Sequence, residues 1–135
     1  MISDYISKTD KQLKDWLYRK KRDKISQLEF KVFKDWYDNS TKKCYYCGIS
    51  EIQSQKIVRT GLLKSKRFPK DGFHGRGTSR GMWLEVDRYD PNGLYQIDNM
   101  VLCCYFCNND KSDVFHGDDY KLVIRDRILF FKRFL

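Results

Sequence analysis

Hydrophobic residues in the N-terminal part of the chain recur every three or four positions, which predicts amphipathic helices. The first of these spans residues 10–22 and begins with the capping-box pattern of Thr9 and Gln12. It ends in a basic run, residues 19–22, which suits the carbonyl end of a helix dipole. That run either grips phosphate or is an ordinary solvated helix end. The apolar face consists of Leu13, Trp16 and Leu17.

A second helix is predicted to begin near Ser26, where Ser26 and Glu29 form another capping-box pattern, and to end near Asp38. Aromatic side chains at helical spacing belong to the core more often than to a base-stacking surface, so we expect this helix to pack inward. Its apolar face consists of Leu28, Val32, Phe33, Trp36 and Tyr37.

Two further segments have helical periodicity. Residues 51–59 are predicted to form a short helix. Residues 118–133 are predicted to form an amphipathic helix that is acidic at its start and basic at its end. The last helix carries more apolar surface than a single packing face needs. The sequence therefore raises the expectation of a homodimer in which two copies share this surface.

Residues 84–115 have a different pattern. Leu84, Val86 and Asp87 form an extended run, a turn signal follows at residues 91–93, and residues 100–102 form a second apolar run. A helix is expected directly after it. The segment therefore predicts a strand, a loop, a strand and a helix, which is a ββα arrangement.

Four cysteines occur as two CxxC pairs, Cys44 with Cys47 and Cys104 with Cys107. Two such pairs are a strong zinc signal, because each pair lets two thiolates converge on one tetrahedral ion. The 56 residues between Cys47 and Cys104 mean that the ion would join distant segments. Two chance pairs of buried cysteines are the alternative. A disulfide framework fits less well, because Cys103 makes the count odd and no secretory leader is evident.

A site closed by four thiolates has no open position for water or substrate, so any chemistry must lie beside it. Asp87 ends the first predicted strand, and Asn108 begins the helix just past the second cysteine pair. In a hairpin followed by a helix, both side chains would point to the same place. Carboxylate and amide oxygens suit a hard cation such as Mg2+ or Mn2+.

Several short motifs follow one another along the chain. They are CxxCG at residues 44–48, VDR at residues 86–88, Tyr95, Asn99, and CCxxCNxxKS at residues 103–112. Each is weak alone, but the combination resembles the HNH endonucleases, and most of all their zinc-clamped branch that carries an arginine. The active site of that family is a ββα-metal unit.

The resemblance implies roles for individual residues. Asp87 and Asn108 would be the ligands of a catalytic Mg2+ or Mn2+, and Asn99 would order the loop between the strands. The family usually has a histidine, its general base, directly after the aspartate, whereas this chain has Arg88. An arginine stays protonated and cannot accept a proton, but it can bind a phosphate through two N–H groups.

The group that would replace the missing base stays open at this point. The metal itself could ionise the attacking water. Either Arg88 stabilises developing charge while another group activates water, or the site has lost catalysis and only binds. The candidate bases are Tyr45, Tyr46, Tyr95, His74 and His116.

Charge indicates the class of substrate. The formal charge is +9, and the positive excess concentrates in residues 1–43 and 56–80. This favours a polyanion, above all nucleic acid. A basic, glycine-containing loop at residues 60–81 is either a disordered surface insertion or an arm that orders on a duplex. The side chains expected to contact DNA are Arg67, Lys70, Arg76, Arg80 and Lys111.

The sequence therefore predicts one α+β domain over residues 1–135. A helical part at residues 1–43 and a C-terminal helix at residues 116–135 would wrap a ββα-metal unit at residues 44–115, clamped by a four-cysteine zinc site. The expected function is a metal-dependent endonuclease that hydrolyses phosphodiester bonds of double-stranded DNA, of the restriction or mobile-element type. The alternatives are an inactive, zinc-stabilised DNA-binding module and an RNA-directed nuclease. No membrane span is evident, and thiolate-bound zinc fits a reducing cytoplasm.

Overall fold

The structure, a computed structural model, describes residues 5–69, 79–124 and 132–134. These residues form α-helices around one two-stranded sheet, which confirms the predicted α+β class. Short 3-10 turns lie at Ile97–Asn99 and Lys132–Phe134. The helices and strands are α1 (Asp10–Arg22), α2 (Phe30–Asn39), α3 (Glu51–Arg59), β1 (Glu85–Arg88), β2 (Met100–Cys103), α4 (Tyr105–Lys111) and α5 (Gly117–Val123).

The first and third helices begin at complete capping boxes. In α1 the backbone N–H of Gln12 donates to Thr9 Oγ1 at 3.2 Å, and the N–H of Thr9 donates to Gln12 Oε1 at 2.7 Å. In α3 the same exchange joins Ser50 and Gln53 at 3.0 and 2.9 Å. Each box pairs two N–H groups that a helix start would otherwise leave unsatisfied. The predicted bounds of both helices are confirmed.

The capping box predicted for α2 is wrong. The helix begins at Phe30, and its cap residue, Glu29, makes no side-chain cap hydrogen bond. Ser26 is buried instead; its hydroxyl donates to the carbonyl of Tyr95 at 2.9 Å and accepts from the N–H of Leu28 at 3.3 Å. A buried hydroxyl needs a partner, and here the loop that leads into β2 supplies it. Ser26 therefore positions Tyr95 rather than starting a helix.

The two strands and the helix after them form the predicted ββα unit. β1 and β2 are antiparallel, and their register pairs Asp87 with Val101 and Arg88 with Met100. The chain then turns directly into α4, whose cap residue is Cys104. A two-stranded sheet is at best marginally stable by itself, so this unit depends on what covers it.

The N-terminal helices supply that cover. One continuous core contains Leu13 and Leu17 from α1, Phe33 from α2, and the thiols of both CxxC pairs. Trp16 stacks on Phe33 with 5.0 Å between the ring centroids. The aromatic residues of α2 are therefore core, as their spacing predicts, and the cysteine pairs lie inside the core. The prediction is wrong for Val32, which is 45% exposed.

Buried polar residues of α3 attach the segment before α1. Gln55 is 2% exposed, and its amide both donates to the carbonyl of Ile6 at 2.7 Å and accepts from the N–H of Ile6 at 3.1 Å. The carboxylate of Glu51 accepts from the hydroxyl of Tyr5 and, at 2.9 Å, from the N–H of Leu84. Burial and this carboxylate raise the pKa of Tyr5 to about 12. Tyr5 and Ile6 are thus held against α3.

Two predictions lie partly outside the described residues. Helix α5 is the first part of the C-terminal helix predicted over residues 118–133, and residues 125–131 are outside. Part of the surface expected for a homodimer falls there, so the homodimer stays a prediction. Within the described residues, no helix has the length and apolar character needed to cross a membrane.

Core packing predicts the effect of truncating Phe33. We expect Phe33→Ala to lower the free energy of unfolding by about 3–5 kcal/mol, because a fully buried aromatic ring is removed and a cavity stays behind. Val32→Ala is the matched control: Val32 is adjacent on α2 and 45% exposed, so its truncation should change stability by less than about 0.5 kcal/mol. Urea denaturation measures both. Equal losses would contradict the inward packing of α2.

Candidate metal centre and adjacent cleft

The four thiols of Cys44, Cys47, Cys104 and Cys107 converge on one point. All their sulfur atoms lie within 4.8 Å of one another, and Cys47 Sγ is 3.7 Å from Cys104 Sγ. Sulfur atoms bound tetrahedrally to one zinc ion at about 2.3 Å lie about 3.8 Å apart. The cluster therefore has the dimensions of a four-thiolate metal site.

Both CxxC pairs reach this point by the same local turn. The N–H of Cys47 donates to Cys44 Sγ at 3.4 Å, and the N–H of Cys107 donates to Cys104 Sγ at 3.3 Å. The first turn closes at Gly48, whose φ of +82° is a conformation that side chains with a Cβ rarely adopt. The second turn is the start of α4 itself. The spacing of two residues thus directs each pair of sulfurs to one side.

Electrostatics within the cluster also indicate a cation. Hydrogen bonds from the other thiols, first from Cys104, lower the pKa of Cys44, whereas burial raises the pKa of Cys104. Four buried thiols at this distance cannot all ionise side by side unless a positive charge lies between them. The fifth cysteine, Cys103, is outside the cluster, and burial raises its pKa. Its expected place as a buried thiol is observed.

Asp87 lies on β1, next to the cluster, and is 5% exposed. The hydroxyl of Tyr46, from the first CxxC turn, donates to Asp87 Oδ2 at 2.7 Å. From α4, Lys111 Nζ lies 3.3 Å from Oδ1 and 3.2 Å from Oδ2, and it also donates to the carbonyl of Arg88 at 3.0 Å. Burial raises the pKa of Asp87, while the Tyr46 hydrogen bond and the Lys111 charge oppose that rise.

Asn108 faces β1 from one turn into α4. Its Nδ2 donates to Glu85 Oε1 at 2.7 Å, so the amide is oriented by a carboxylate and Oδ1 is left as its oxygen donor. Glu85 also accepts two hydrogen bonds from Arg80, at 2.9 and 3.0 Å. Glu85 and Asp87 are two positions apart on a strand, so their side chains leave the same face of the sheet.

The loop between the strands holds the remaining side chains. Asn99 Nδ2 donates to the carbonyls of Asp90 and Leu94, both at 3.0 Å, and Asn99 Oδ1 accepts from the N–H of Asp90 at 2.9 Å. Arg88 Nη1 donates to the carbonyl of Gly93 at 3.1 Å. A Cβ on Gly93 would lie 2.7 Å from the Asn99 amide nitrogen, so a larger residue at this position would clash with Asn99.

These residues surround an open cleft of about 300 Å3. Asp87, Arg88, Tyr95 and Asn108 all line it, so the structure brings together the side chains that the sequence predicts for a second metal and its reaction. The guanidinium of Arg88 lies over the Tyr95 ring, 5.0 Å from its centroid. Burial raises the pKa of Tyr95, and the nearby charge of Arg88 counters part of that rise. Oxygen donors from Asp87 and Asn108 fit a hard divalent cation.

Two predicted roles need correction. Lys111 is fully buried against Asp87, so it is not a surface residue that could contact phosphate. Tyr46 is 8% exposed, its hydroxyl donates a hydrogen bond to Asp87, and its pKa is raised first by burial and then by that carboxylate. A general base must reach the water and give up its own proton near neutral pH, and all three features of Tyr46 oppose this. The motif spacing correctly predicted that Lys111 and Tyr46 lie close to Asp87. The direction in which each side chain points depends on how α4 and the first CxxC turn pack, which the spacing does not show.

The other predicted side chains lie at different distances from the cleft. Arg67 is exposed and donates to the Tyr105 hydroxyl at 2.7 Å, while Arg80 is held by Glu85 at the cleft wall. His116 caps α5, where its Nδ1 accepts from the N–H of Asp118 at 3.1 Å. Tyr45 is half exposed and accepts from Lys121. Lys70, His74 and Arg76 lie outside the described residues.

Sequence reasoning missed Glu85. It orients Asn108, and it restrains Arg80, yet it belongs to no recognisable motif. Its position two residues before Asp87 on the same strand was the signal available, because period-two alternation places both carboxylates on one face.

Comparison with solved structures gives a match over almost the whole chain. The structure of the rare-cutting HNH restriction endonuclease PacI, described as showing an extraordinary mechanism of DNA perturbation, superposes with a TM-score of 0.65. The two chains are 21% identical, and the match covers 96% of this chain and 86% of that one. The fold is that of an HNH endonuclease. The resemblance inferred from the sequence motifs is therefore confirmed at the level of the fold.

Neither the family models nor the curated proteins gave a sequence match. The HNH fold is thus recognisable from the geometry and from a few short motifs, while most of the intervening sequence differs.

The cysteine cluster generates a stability prediction. We expect Cys107→Ser to lose one equivalent of bound zinc and cooperative unfolding, since a structural metal contributes folding energy directly. Cys103→Ala is the matched control: it removes a buried neighbouring thiol outside the cluster and should retain the metal. Native mass spectrometry reports the zinc content, and near-ultraviolet circular dichroism reports the folding. A well-folded, zinc-free Cys107→Ser protein would contradict the structural role.

Proposed function

We propose that this protein is a metal-dependent endonuclease that hydrolyses phosphodiester bonds of double-stranded DNA. The observation that carries the proposal is the single cleft lined by Asp87, Arg88, Tyr95 and Asn108, at the junction of β1 and α4. The HNH fold, shared with a restriction endonuclease, supports DNA as the substrate and site-specific cutting as the mode. The net charge of +9 favours the same class of partner.

In this proposal the two metals have separate tasks. Zn2+ bound by the four thiolates stabilises the fold, because a site with four protein ligands is closed to substrate. Mg2+ or Mn2+ would be held by Asp87 Oδ and Asn108 Oδ1, and it would supply Lewis acidity at the scissile phosphate and lower the pKa of a bound water. Tyr46 and Lys111 hold the Asp87 carboxylate from two sides, and Glu85 orients the Asn108 amide.

Arg88 stands where the HNH endonucleases usually place a histidine, and we assign it an electrostatic role. Its guanidinium lies in the cleft, tied to the loop by Gly93 and supported by the Tyr95 ring. A permanently charged, planar group in that position can bind two oxygens of one phosphate and stabilise the charge that grows during attack. It cannot accept the proton of the water.

Tyr95 is the candidate for positioning the attacking water. Among the tyrosines and histidines considered as bases, it alone in the described residues lines this cleft. Because burial raises its pKa, its hydroxyl stays protonated near neutral pH. A protonated hydroxyl can accept one hydrogen bond and donate another, which is what orienting a water beside a phosphate requires. Ser26 and Ile25 hold the backbone of Tyr95 in this place, at 2.9 and 2.8 Å.

We assign the contacts with flanking DNA to Arg80, which lines the cleft, to the exposed Arg67, and to Lys70 and Arg76, which lie outside the described residues. Arg80 forms an ion pair with Glu85 and so forms part of the cleft wall before any DNA binds. Lys111 is reassigned to holding Asp87.

An inactive DNA-binding module is the second candidate function. The observation that favours it is the Lys111 ammonium beside both oxygens of Asp87, together with the arginine in the position of the usual base. A carboxylate whose negative charge is already compensated by an ammonium group binds a metal cation less readily. The same cleavage assay separates the two candidates, and an RNA duplex of the same sequence tests the RNA-directed alternative.

The metal ligands generate the central prediction. Plasmid DNA incubated with the protein and Mg2+ or Mn2+ should become nicked or linear, and EDTA should prevent this. Asp87→Ala and Asn108→Ala should each lower the rate by on the order of 100-fold or more, because the Lewis acid supplies several kcal/mol of transition-state stabilisation. Asp119→Ala, a change of an exposed carboxylate on α5, should cut normally.

A protein that binds the plasmid without cutting it under any metal condition would instead be the DNA-binding module. Cutting that survives in both Asp87→Ala and Asn108→Ala would remove these residues from the reaction.

Removing single hydroxyls tests the two tyrosines separately. Tyr95→Phe should lower the single-turnover cleavage rate by on the order of 100-fold, because misplaced water loses most of the benefit of orientation. Tyr46→Phe should retain activity within about tenfold, but should unfold at lower urea concentration, since it leaves a buried carboxylate oxygen with one donor fewer. The reverse order of activities would make Tyr46, rather than Tyr95, the reacting tyrosine.

A further inference from the structure

We propose that a groove between α1 and the ββα unit is a second phosphate subsite, which holds the DNA strand next to the bond that is cut. The α1 groove, as we call it, is lined by Lys8, Arg19, Lys20, Trp83 and Glu85, among others, and encloses about 480 Å3. The proposal rests on the proposed function and adds to it a place for the flanking strand.

The α1 groove is continuous with the candidate active-site cleft. Arg80, Tyr95 and Asn108 line both of them. Tyr95 lies at the boundary, since the Arg88 guanidinium is 5.0 Å and Lys20 Nζ is 5.3 Å from the centroid of its ring. The two cations are therefore less than about 11 Å apart, and successive phosphates of one strand advance by about 3.4 Å along the helix axis. A strand bound by Arg88 can reach Lys20 within a few nucleotides.

The cations of the α1 groove lack close carboxylate partners, whereas its acids are paired. Within the described residues, no carboxylate lies within 4.0 Å of the charged groups of Lys8, Arg19 or Lys20. Glu85 is bound to Arg80 at 2.9 Å, and Asp15 is bound to Lys11 at 2.8 Å. The groove thus presents a net positive surface.

Keeping the charges of Arg19 and Lys20 together without an anion is unfavourable. Burial and then the charge of Arg19 lower the pKa of Lys20. Burial also lowers the pKa of Lys8, where the charges of Glu85 and Glu51 oppose the fall. A phosphate in the groove would relieve this repulsion, because an opposite charge favours the protonated form. The ligand class that fits is therefore an anion, and the continuity with the cleft identifies it as a phosphodiester of the same DNA strand.

The cations are also held in place before any ligand arrives. The segment that carries Lys8 is tied down by the two hydrogen bonds of Ile6 with Gln55 and by Trp83 Nε1, which donates to the Ile6 carbonyl at 2.9 Å. Lys20 Nζ lies over the Trp16 ring at 5.5 Å as well as over Tyr95. Groups that are ordered in advance lose less entropy on binding. A solvated helix end would have no such support.

The test is a salt series of DNA binding in EDTA, where no cutting can occur. Fluorescence anisotropy of a labelled duplex gives the dissociation constant of the wild type, of the double variant Arg19→Gln/Lys20→Gln, and of the control Lys21→Gln/Arg22→Gln. The control changes the same charge on the same helix at exposed positions outside the groove. Lys20→Arg keeps the charge and serves as the conservative variant.

We expect the groove variant to bind at least about tenfold more weakly and to lower the slope of log K against log salt by about one per lost phosphate contact. The control should stay within about threefold of the wild type with its slope unchanged, and Lys20→Arg should keep the wild-type slope. A neutral methylphosphonate placed at successive phosphates then locates the contact. One flanking position should weaken the wild type and have no further effect on the groove variant.

Equal slopes for the groove and control variants would overturn the subsite, and so would a wild-type protein that does not bind DNA in EDTA. If the groove variant binds weakly as expected but the wild type never cuts DNA with any divalent metal, the subsite stands and the endonuclease assignment fails. If cutting occurs and the groove variant binds and cuts like the control, the assignment stands and the subsite fails.

Discussion

The convergence of four cysteine sulfurs is the constraint on which the rest of the structure depends. The sheet has two strands of four residues each, which is too little to be stable unless something else holds it. The cluster joins the turn of residues 44–47 to the junction of β2 and α4, and it does so inside the same core that α1 and α2 cover. A metal ion bound there would join residues 44–47 to the end of β2 and the first turn of α4 inside the core.

The cluster and the candidate active site are mechanically linked. Tyr46 lies between Cys44 and Cys47, and its hydroxyl is bonded to Asp87; Lys111 lies one turn beyond Cys107 on α4 and approaches Asp87 from the other side. The position of the Asp87 carboxylate is therefore set by two residues whose backbones leave the cysteine turns. Burying this ion pair has a desolvation cost, and such pairs rarely add net stability. What the pair supplies is a defined orientation for one oxygen donor.

Local sequence signals predicted the elements well where the responsible interaction is itself local. The capping box of Thr9 with Gln12 and the two CxxC turns involve residues three positions apart, and each appears as expected. Ser26 shows the limit. Its pattern was equally good, but a hydrogen bond to Tyr95, 69 positions away, takes its hydroxyl. No local pattern can rank a cap against a partner that only the tertiary fold brings near.

The candidate site shows the same division. Asp87 and Asn108 could be named from the motif, and they line one cleft. Lys111 could not be placed, because residues 108 and 111 share a helix face and only packing decides which one reaches solvent: Lys111 is buried, and Asn108 is partly exposed. Glu85 carried no signal beyond strand alternation. A polar side chain that only orients another residue belongs to no motif with a fixed spacing, so the sequence does not reveal it.

The basic end of α1 is the case in which packing resolves an ambiguity that charge alone left open. Residues 19–22 are four successive cations, and a helix turns by about 100° per residue, so they cannot all face the same way. Arg19 and Lys20 line the α1 groove next to Tyr95, and Lys21 and Arg22 point elsewhere into solvent. The aromatic ring of Trp16, one turn earlier, is what separates the two pairs, because it packs on Phe33 and Tyr95 and so sets the rotation of the helix. The same ring that completes the core thus determines which cations stand beside the candidate active site.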